Sequence, residues 1–77
     1  MKTLENLKKD FLQYEECTEY VSHNGNKCLR VIGDLSWYFL KCSQCGINPK
    51  FEDGYYTAKG NGFDLDYVEG DVILAIH

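Results

Sequence analysis

Four turn-forming dipeptides divide the chain after Cys17 into short runs rich in β-branched and aromatic residues. The dipeptides are Asn24-Gly25, Gly33-Asp34, Asn61-Gly62 and Glu69-Gly70, with Gly70-Asp71 as the alternative for the last turn. Asn-Gly favours a type I′ hairpin turn, whose two central residues need positive φ, and a leading glycine suits type II′. The pattern therefore predicts antiparallel hairpins over most of the chain.

The first two dipeptides predict a three-stranded meander, because two-residue turns fix the register of the flanking strands. A turn at residues 24–25 pairs Val21 with Cys28 and Glu19 with Arg30. A turn at residues 33–34 pairs Arg30 with Trp37. These registers place Glu19, Arg30 and Trp37 in one row, where an ion pair and a cation–π contact would support the arrangement.

A second meander is predicted from strands at residues 55–59, 63–68 and 72–76. The turn at residues 61–62 pairs Lys59 with Asp64 and Thr57 with Asp66. Alternation places Asp64 and Asp66 on the face opposite Phe63, Leu65 and Tyr67. The last strand is apolar on both faces, which predicts an inner strand or an edge covered by a helix.

The N-terminal segment has helical periodicity. Leu4, Leu7, Phe11 and Tyr14 form one stripe after a candidate N-cap at Thr3, which predicts an amphipathic helix over residues 4–16. The fold class is therefore α+β, in a single domain of residues 1–77. The N-terminal helix packs on an antiparallel sheet built from two three-stranded meanders, which residues 42–53 connect.

The cysteine spacing indicates a zinc site. Cys42 and Cys45 form a Cys-x-x-Cys motif followed by glycine, which resembles half of a zinc ribbon. The predicted register brings Cys42 close to the tip of the first hairpin, where His23 and Cys28 lie. We therefore predict the metal ligands Cys42, Cys45, Cys28 and His23, with zinc as the candidate cofactor.

Other cysteine chemistry stays open at this point. The four thiols can be free and partly buried, as small apolar side chains often are. The even number allows two disulfides in an oxidising compartment. A redox Cys-x-x-Cys would need a helix N-terminus after it to lower the thiol pKa, and residues 46–49 do not have that pattern.

The chain carries a net charge of −4, with a pI of about 4.9. This acidity argues against direct binding of nucleic acid, which favours basic stripes, and against docking on an anionic membrane. The first ten residues lack an apolar signal-peptide core, so we expect a cytoplasmic location.

Acidic and tyrosine residues are concentrated in the C-terminal third. We predict a partner-binding surface formed by Asp64, Asp66, Glu69, Asp71, Tyr55, Tyr56 and Tyr67. Carboxylates can replace phosphates opposite arginine and lysine, and tyrosine gives large contact area at low entropic cost. The leading hypothesis is a non-enzymatic protein-binding module that blocks a basic, nucleic-acid-binding partner, as small acidic inhibitors of phages and mobile elements do.

Two other functional classes are carried forward. The first is a small zinc-knuckle structural or adaptor domain, held together by the predicted metal. The second is a small enzyme or redox thiol protein, although the sequence contains no convincing pair of nucleophile and base. The composition is also compatible with a homodimer.

Overall fold

The computed structural model describes residues 1–77, which form two helices and one six-stranded antiparallel sheet. The elements are α1 (Leu4–Leu12), β1 (Thr18–Val21), β2 (Lys27–Ile32), α2 (Leu35–Cys45), β3 (Lys50–Glu52), β4 (Tyr55–Lys59), β5 (Phe63–Val68) and β6 (Asp71–Ile76). The strand order is β1-β2-β6-β5-β4-β3. The α+β class and the packing of the N-terminal helix on an antiparallel sheet are confirmed. Neither helix has the length and apolar character needed to cross a membrane.

The predicted C-terminal meander is confirmed. Strands β4 and β5 have the predicted bounds, β6 begins one residue earlier, and Thr57 pairs with Asp66 as expected. The turn between β5 and β6 is Glu69-Gly70, where φ is 48° and 87° as a type I′ turn requires. Strand β6 lies between β2 and β5, so its two apolar faces belong to an inner strand.

The predicted register of the first hairpin is wrong by one residue. Val21 pairs with Lys27, and Glu19 pairs with Leu29 instead of Arg30. The cause is a loop of five residues, in which the Ser22 hydroxyl accepts a hydrogen bond from the Asn26 N–H at 3.2 Å. These local bonds compete with the tight turn, and Asn24 does not adopt the positive φ that type I′ needs.

The third strand of the predicted first meander is a helix. Asp34 does not sit in a hairpin turn; its carboxylate accepts a hydrogen bond from the Trp37 N–H at 2.9 Å and caps the N-terminus of α2. Gly46, with φ of 68°, ends the helix in the left-handed conformation. The predicted row of Glu19, Arg30 and Trp37 therefore does not exist.

Two further boundaries differ from the prediction. Helix α1 ends at Leu12 rather than at residue 16, because the next residues form turns and the Tyr14 ring meets Trp37 edge-on at 5.8 Å. Strand β3 was not predicted, although Asp53-Gly54 has the positive φ values of 55° and 87° of a type I′ turn. Asp-Gly is a recognised signal for that turn, so the sequence did contain the evidence for β3.

Both helices pack on the same face of the sheet. The core joins Leu7 and Phe11 of α1 and Tyr38 of α2 to a set of strand residues. These strand residues are Leu29, Val31, Ala58, Phe63, Leu65, Val72 and Leu74. The Tyr38 hydroxyl donates a buried hydrogen bond to the Leu65 carbonyl oxygen at 2.8 Å and so attaches α2 to β5.

An ion-pair network connects the two helices. The Lys41 side chain is 8% exposed; its ammonium donates to Asp10 at 2.9 Å and lies 5.1 Å from the centre of the Trp37 ring. Lys2 pairs with the same carboxylate. Partial burial raises the pKa of Asp10, but the hydrogen bonds and charges of Lys2 and Lys41 outweigh burial and lower it. Asp10 is therefore stabilised as the anion in the folded protein.

Replacing Asp10 by Asn is expected to lower the free energy of unfolding at pH 7 by about 1–3 kcal/mol, because it leaves the Lys41 ammonium without its anionic partner. A lowered native pKa stabilises the fold above the unfolded value of about 3.9, and this contribution disappears as pH falls through the native pKa. The variant and the wild type should therefore converge in acid. Urea unfolding between pH 2.5 and 7 measures this.

The matched control for this experiment is Glu5→Gln, which removes an exposed ion pair with Lys8 on the same helix. It should change stability by less than about 0.5 kcal/mol. Equal losses for the two variants would contradict a special role for Asp10.

Replacing Tyr38 by Phe should cost about 1–2 kcal/mol, because the hydroxyl donates the only side-chain hydrogen bond from α2 to the Leu65 carbonyl. Tyr14→Phe is the control, since that half-buried ring packs on Trp37 and its hydroxyl makes no hydrogen bond within the protein. Thermal unfolding followed by circular dichroism compares the two variants. A neutral Tyr38→Phe substitution would contradict the predicted contribution.

Candidate partner-binding surface

The sheet face opposite the helices, which we name the open face, is not covered by another element. Its residues alternate along each strand with the core residues and are aligned across the sheet by the strand registers. The rows are Tyr20, Cys28, Ala75, Asp64, Lys59; then Thr18, Arg30, Ile73, Asp66, Thr57, Lys50; then Ile32, Asp71, Val68; and, at the β3–β4 edge, Tyr55, Glu52. The face is therefore a mixed surface in which carboxylates occupy the middle strands.

Asp66 lies in the middle row and forms no ion pair within the protein. Its only side-chain hydrogen bond comes from the Thr57 hydroxyl, which donates to Oδ1 at 2.6 Å. Asp64, on the same strand and face, instead has His77 Nε2 at 3.0 Å from its carboxylate. Arg30 forms no ion pair either; its guanidinium lies 5.9 Å from the centre of the Tyr20 ring. The open face thus carries charges that the fold does not pair.

The surroundings of Asp66 disfavour its charged form. Burial raises the pKa of Asp66 and the neighbouring Asp64 charge adds to this, whereas the hydrogen bond from Thr57 and the more distant charge of Lys59 oppose it. Burial is the largest of these effects, so the pKa is raised. Partly buried carboxylates of this kind are costly in the ionised form unless a cation approaches them. A basic group brought by another molecule would therefore interact favourably with this position.

The structure divides the predicted partner-binding residues between two faces. Asp64, Asp66, Asp71 and Tyr55 share the open face, and Glu69 lies exposed in the adjoining turn.

Two of the predicted tyrosines lie elsewhere. Tyr56 and Tyr67 lie on the helix side, where their ring centres are 6.2 Å and 5.8 Å from that of Tyr38. Including them in one surface with the aspartates was wrong, because neighbouring residues of a strand face opposite ways.

The residues that β1 and β2 contribute to the open face were missed in the sequence. Tyr20, Cys28 and Arg30 join the carboxylates only because β2 pairs with β6, a contact between distant parts of the chain. The apolar character of β6 on both faces indicates that it has a strand on each side. The turn at residues 69–70 identifies β5 as one of these neighbours, but no local pattern identifies β2 as the other.

The predicted metal ligands are placed on different sides of the sheet. Cys28 is buried on the open face, whereas Cys42 and Cys45 belong to α2 and are buried in the core on the other side of the sheet, and His23 is exposed in the β1–β2 loop. No group of three or more His, Cys, Asp or Glu side chains is close enough together to hold a metal ion. The register that selected these four ligands was wrong, and zinc binding itself stays a prediction that metal analysis would test.

The thiols also differ from those of a redox motif. Cys42 and Cys45 lie in the last turn of α2, where the negative end of the helix dipole disfavours a thiolate. Burial raises the pKa of Cys42 to about 11, and it raises the pKa of Cys45 and Cys17 as well. All four cysteines are free. Buried thiols with raised pKa values are poor nucleophiles at neutral pH.

No protein-family model matches the sequence, and neither a curated protein nor a solved structure matches it significantly.

Replacing Asp66 by Asn is expected to leave stability at pH 7 unchanged or to raise it by up to about 1 kcal/mol, because the amide oxygen still accepts from Thr57 without a charge to desolvate. The native pKa of Asp66 lies above the unfolded value of about 3.9. The free energy of unfolding of the wild type therefore falls as pH rises from the unfolded pKa to the native pKa of Asp66. The variant should lack this fall. Urea unfolding from pH 3 to 7 measures both effects.

The comparison variant is Thr57→Val, which removes the donor and should destabilise the protein at neutral pH, where the carboxylate is charged. If Asp66→Asn proved the more destabilising of the two, the carboxylate would be part of the structural framework of the sheet.

Proposed function

We propose that this chain is a non-enzymatic binding module whose open face docks on a basic surface of another protein. The observation that carries the proposal is Asp66, a half-buried carboxylate without an ion-pair partner at the centre of a sheet face that no helix covers. A side chain in that position gains most from a cation supplied in trans.

Neighbouring carboxylates support a basic partner. Asp64 lies two residues from Asp66 on the same face, a separation of about 6.8 Å along the strand. Asp71 on β6 and Glu69 in the next turn extend the acidic area. Arginine forms short, paired hydrogen bonds with carboxylates, so an arginine-rich surface fits this arrangement better than an apolar one.

Tyr20 and Tyr55 complement the carboxylates, because they provide partly exposed rings at two edges of the open face. Tyrosine is enriched where proteins meet, since a rigid ring gives apolar contact and a hydroxyl gives a hydrogen bond. The partner class that we infer is a nucleic-acid-binding protein, because such proteins carry clustered arginine and lysine side chains. Occupying that cluster with carboxylates would inhibit the partner.

The experiment compares capture of partners by wild-type protein with capture by the double variant Asp64→Lys/Asp66→Lys. The control is Glu15→Lys/Glu16→Lys, which changes net charge equally at two exposed residues after α1. We expect at least about a tenfold loss of a basic protein with the open-face variant, and little loss with the control. Quantitative mass spectrometry of material bound from extract, at low and high salt, measures the difference.

Equal recovery with wild type and the open-face variant would refute the proposal. Equal losses with both double variants would also refute it, because binding would then depend on net charge and not on the open face.

A further inference from the structure

Strand β3 forms one edge of the sheet and has an exposed side. It pairs only with β4, and all three of its residues, Lys50, Phe51 and Glu52, are exposed. The Phe51 side chain is 63% exposed, an unusual position for a large apolar ring. Edge strands with free backbone groups are templates for pairing with another strand, so this edge can accept one.

The exposed ring of Phe51 continues into an aromatic cluster that reaches α2. Phe51 meets Tyr56 edge-on at 4.9 Å, and Tyr56 meets Phe39 edge-on at 5.3 Å. Phe39 itself is 39% exposed. An apolar surface that extends from the sheet edge to the neighbouring helix is typical of a docking site and not of an isolated solvent-facing residue.

We infer that β3 pairs antiparallel with β3 of a second copy of this chain, centred on Phe51. In this register Lys50 of each copy lies opposite Glu52 of the other, which gives two opposite-charge pairs. Phe51 lies opposite its own counterpart, beside Tyr56 and Phe39. Cross-strand pairs of opposite charge and of aromatic rings stabilise antiparallel sheets.

Symmetry selects this register over its neighbours. A two-fold axis between antiparallel strands keeps the same face of both copies on the same side, so opposed residues differ by an even number of positions. The pairing must then centre on Lys50, Phe51 or Glu52. Centring on Lys50 or Glu52 places identical charges opposite each other, and only Phe51 avoids this. Parallel pairing in register would also bring like charges together.

The other edge of the sheet has no such complementarity. Centring a symmetric pairing of β1 on Glu19 opposes two glutamates, and centring it on Tyr20 places Glu19 opposite Val21. Centring it on Thr18 or Val21 places Glu19 opposite a residue outside the strand. Strand β1 contains no cation that could pair with Glu19 of a second copy. Strand β3 contains both a lysine and a glutamate, so its charges favour self-pairing.

The inference does not rest on the proposed function, because sedimentation measures self-association alone. Lys50 and Glu52 lie at the margin of the open face, and pairing through β3 leaves Asp64, Asp66 and Asp71 uncovered. The inference is tested by sedimentation equilibrium over a wide concentration range with wild type, Lys50→Glu, Glu52→Lys and the exchange variant Lys50→Glu/Glu52→Lys. Wild type should reach twice the monomer mass of 8.9 kDa. Each single variant should raise the dimer Kd at least about tenfold, because it creates two like-charge pairs.

The exchange variant should recover wild-type affinity to within about threefold, since the charges are again complementary. An equimolar mixture of the two single variants should form a heterodimer, in which every charged pair has opposite sign. Circular dichroism checks that each variant is folded. A wild type that stays monomeric at about 1 mM would overturn the inference, and so would a dimer whose Kd is the same in all four proteins.

Discussion

The pairing of β2 with β6 is the contact on which the rest of the structure depends. It joins the N-terminal hairpin to the C-terminal meander and makes one sheet out of two. The buried row Leu29, Leu74, Leu65 crosses this junction with at most 1% of any side chain exposed. A 77-residue chain buries few residues, so separate halves would lack the apolar area that a stable core requires. The same pairing defines the two faces and so creates both the core and the open face.

The long-range pairing also explains why residues 35–45 are helical. Once β6 occupies the free edge of β2, a third strand of the first meander has no position beside it. The chain must instead travel from β2 to the far edge of the sheet, where β3 lies. Helix α2 makes this crossing over the core face, with Asp34 as its N-cap and Gly46 as its C-terminal stop. Gly33-Asp34 is compatible with both a type II′ turn and a helix start, so local sequence alone could not decide between them.

The parts of the fold that the sequence predicts are those that short-range chemistry determines. The β4–β5–β6 registers follow from two-residue turns, and the alternation of aspartates with apolar residues on β5 follows from the strand period. The predicted register of the first hairpin was wrong because the chain forms a five-residue loop, with hydrogen bonds between Ser22 and Asn26. The predicted metal ligands also depended on a third strand beside β2, and those residues form helix α2. The open-face carboxylates Asp64 and Asp66 were therefore predicted, because they lie on one strand. Tyr20 and Arg30 were missed, because only the pairing of β2 with β6 brings them to the same face.

The two inferred contacts are geometrically compatible, because one uses the edge of the sheet and the other its open face. A two-fold axis perpendicular to the sheet leaves the open faces of both copies on the same side of a twelve-stranded surface. Two central Asp66 carboxylates would then face one partner together. A partner with repeated basic sites would bind both copies with a higher effective concentration for the second contact than for the first. Self-pairing through β3 would in this way strengthen binding at the open face without adding any residue to it.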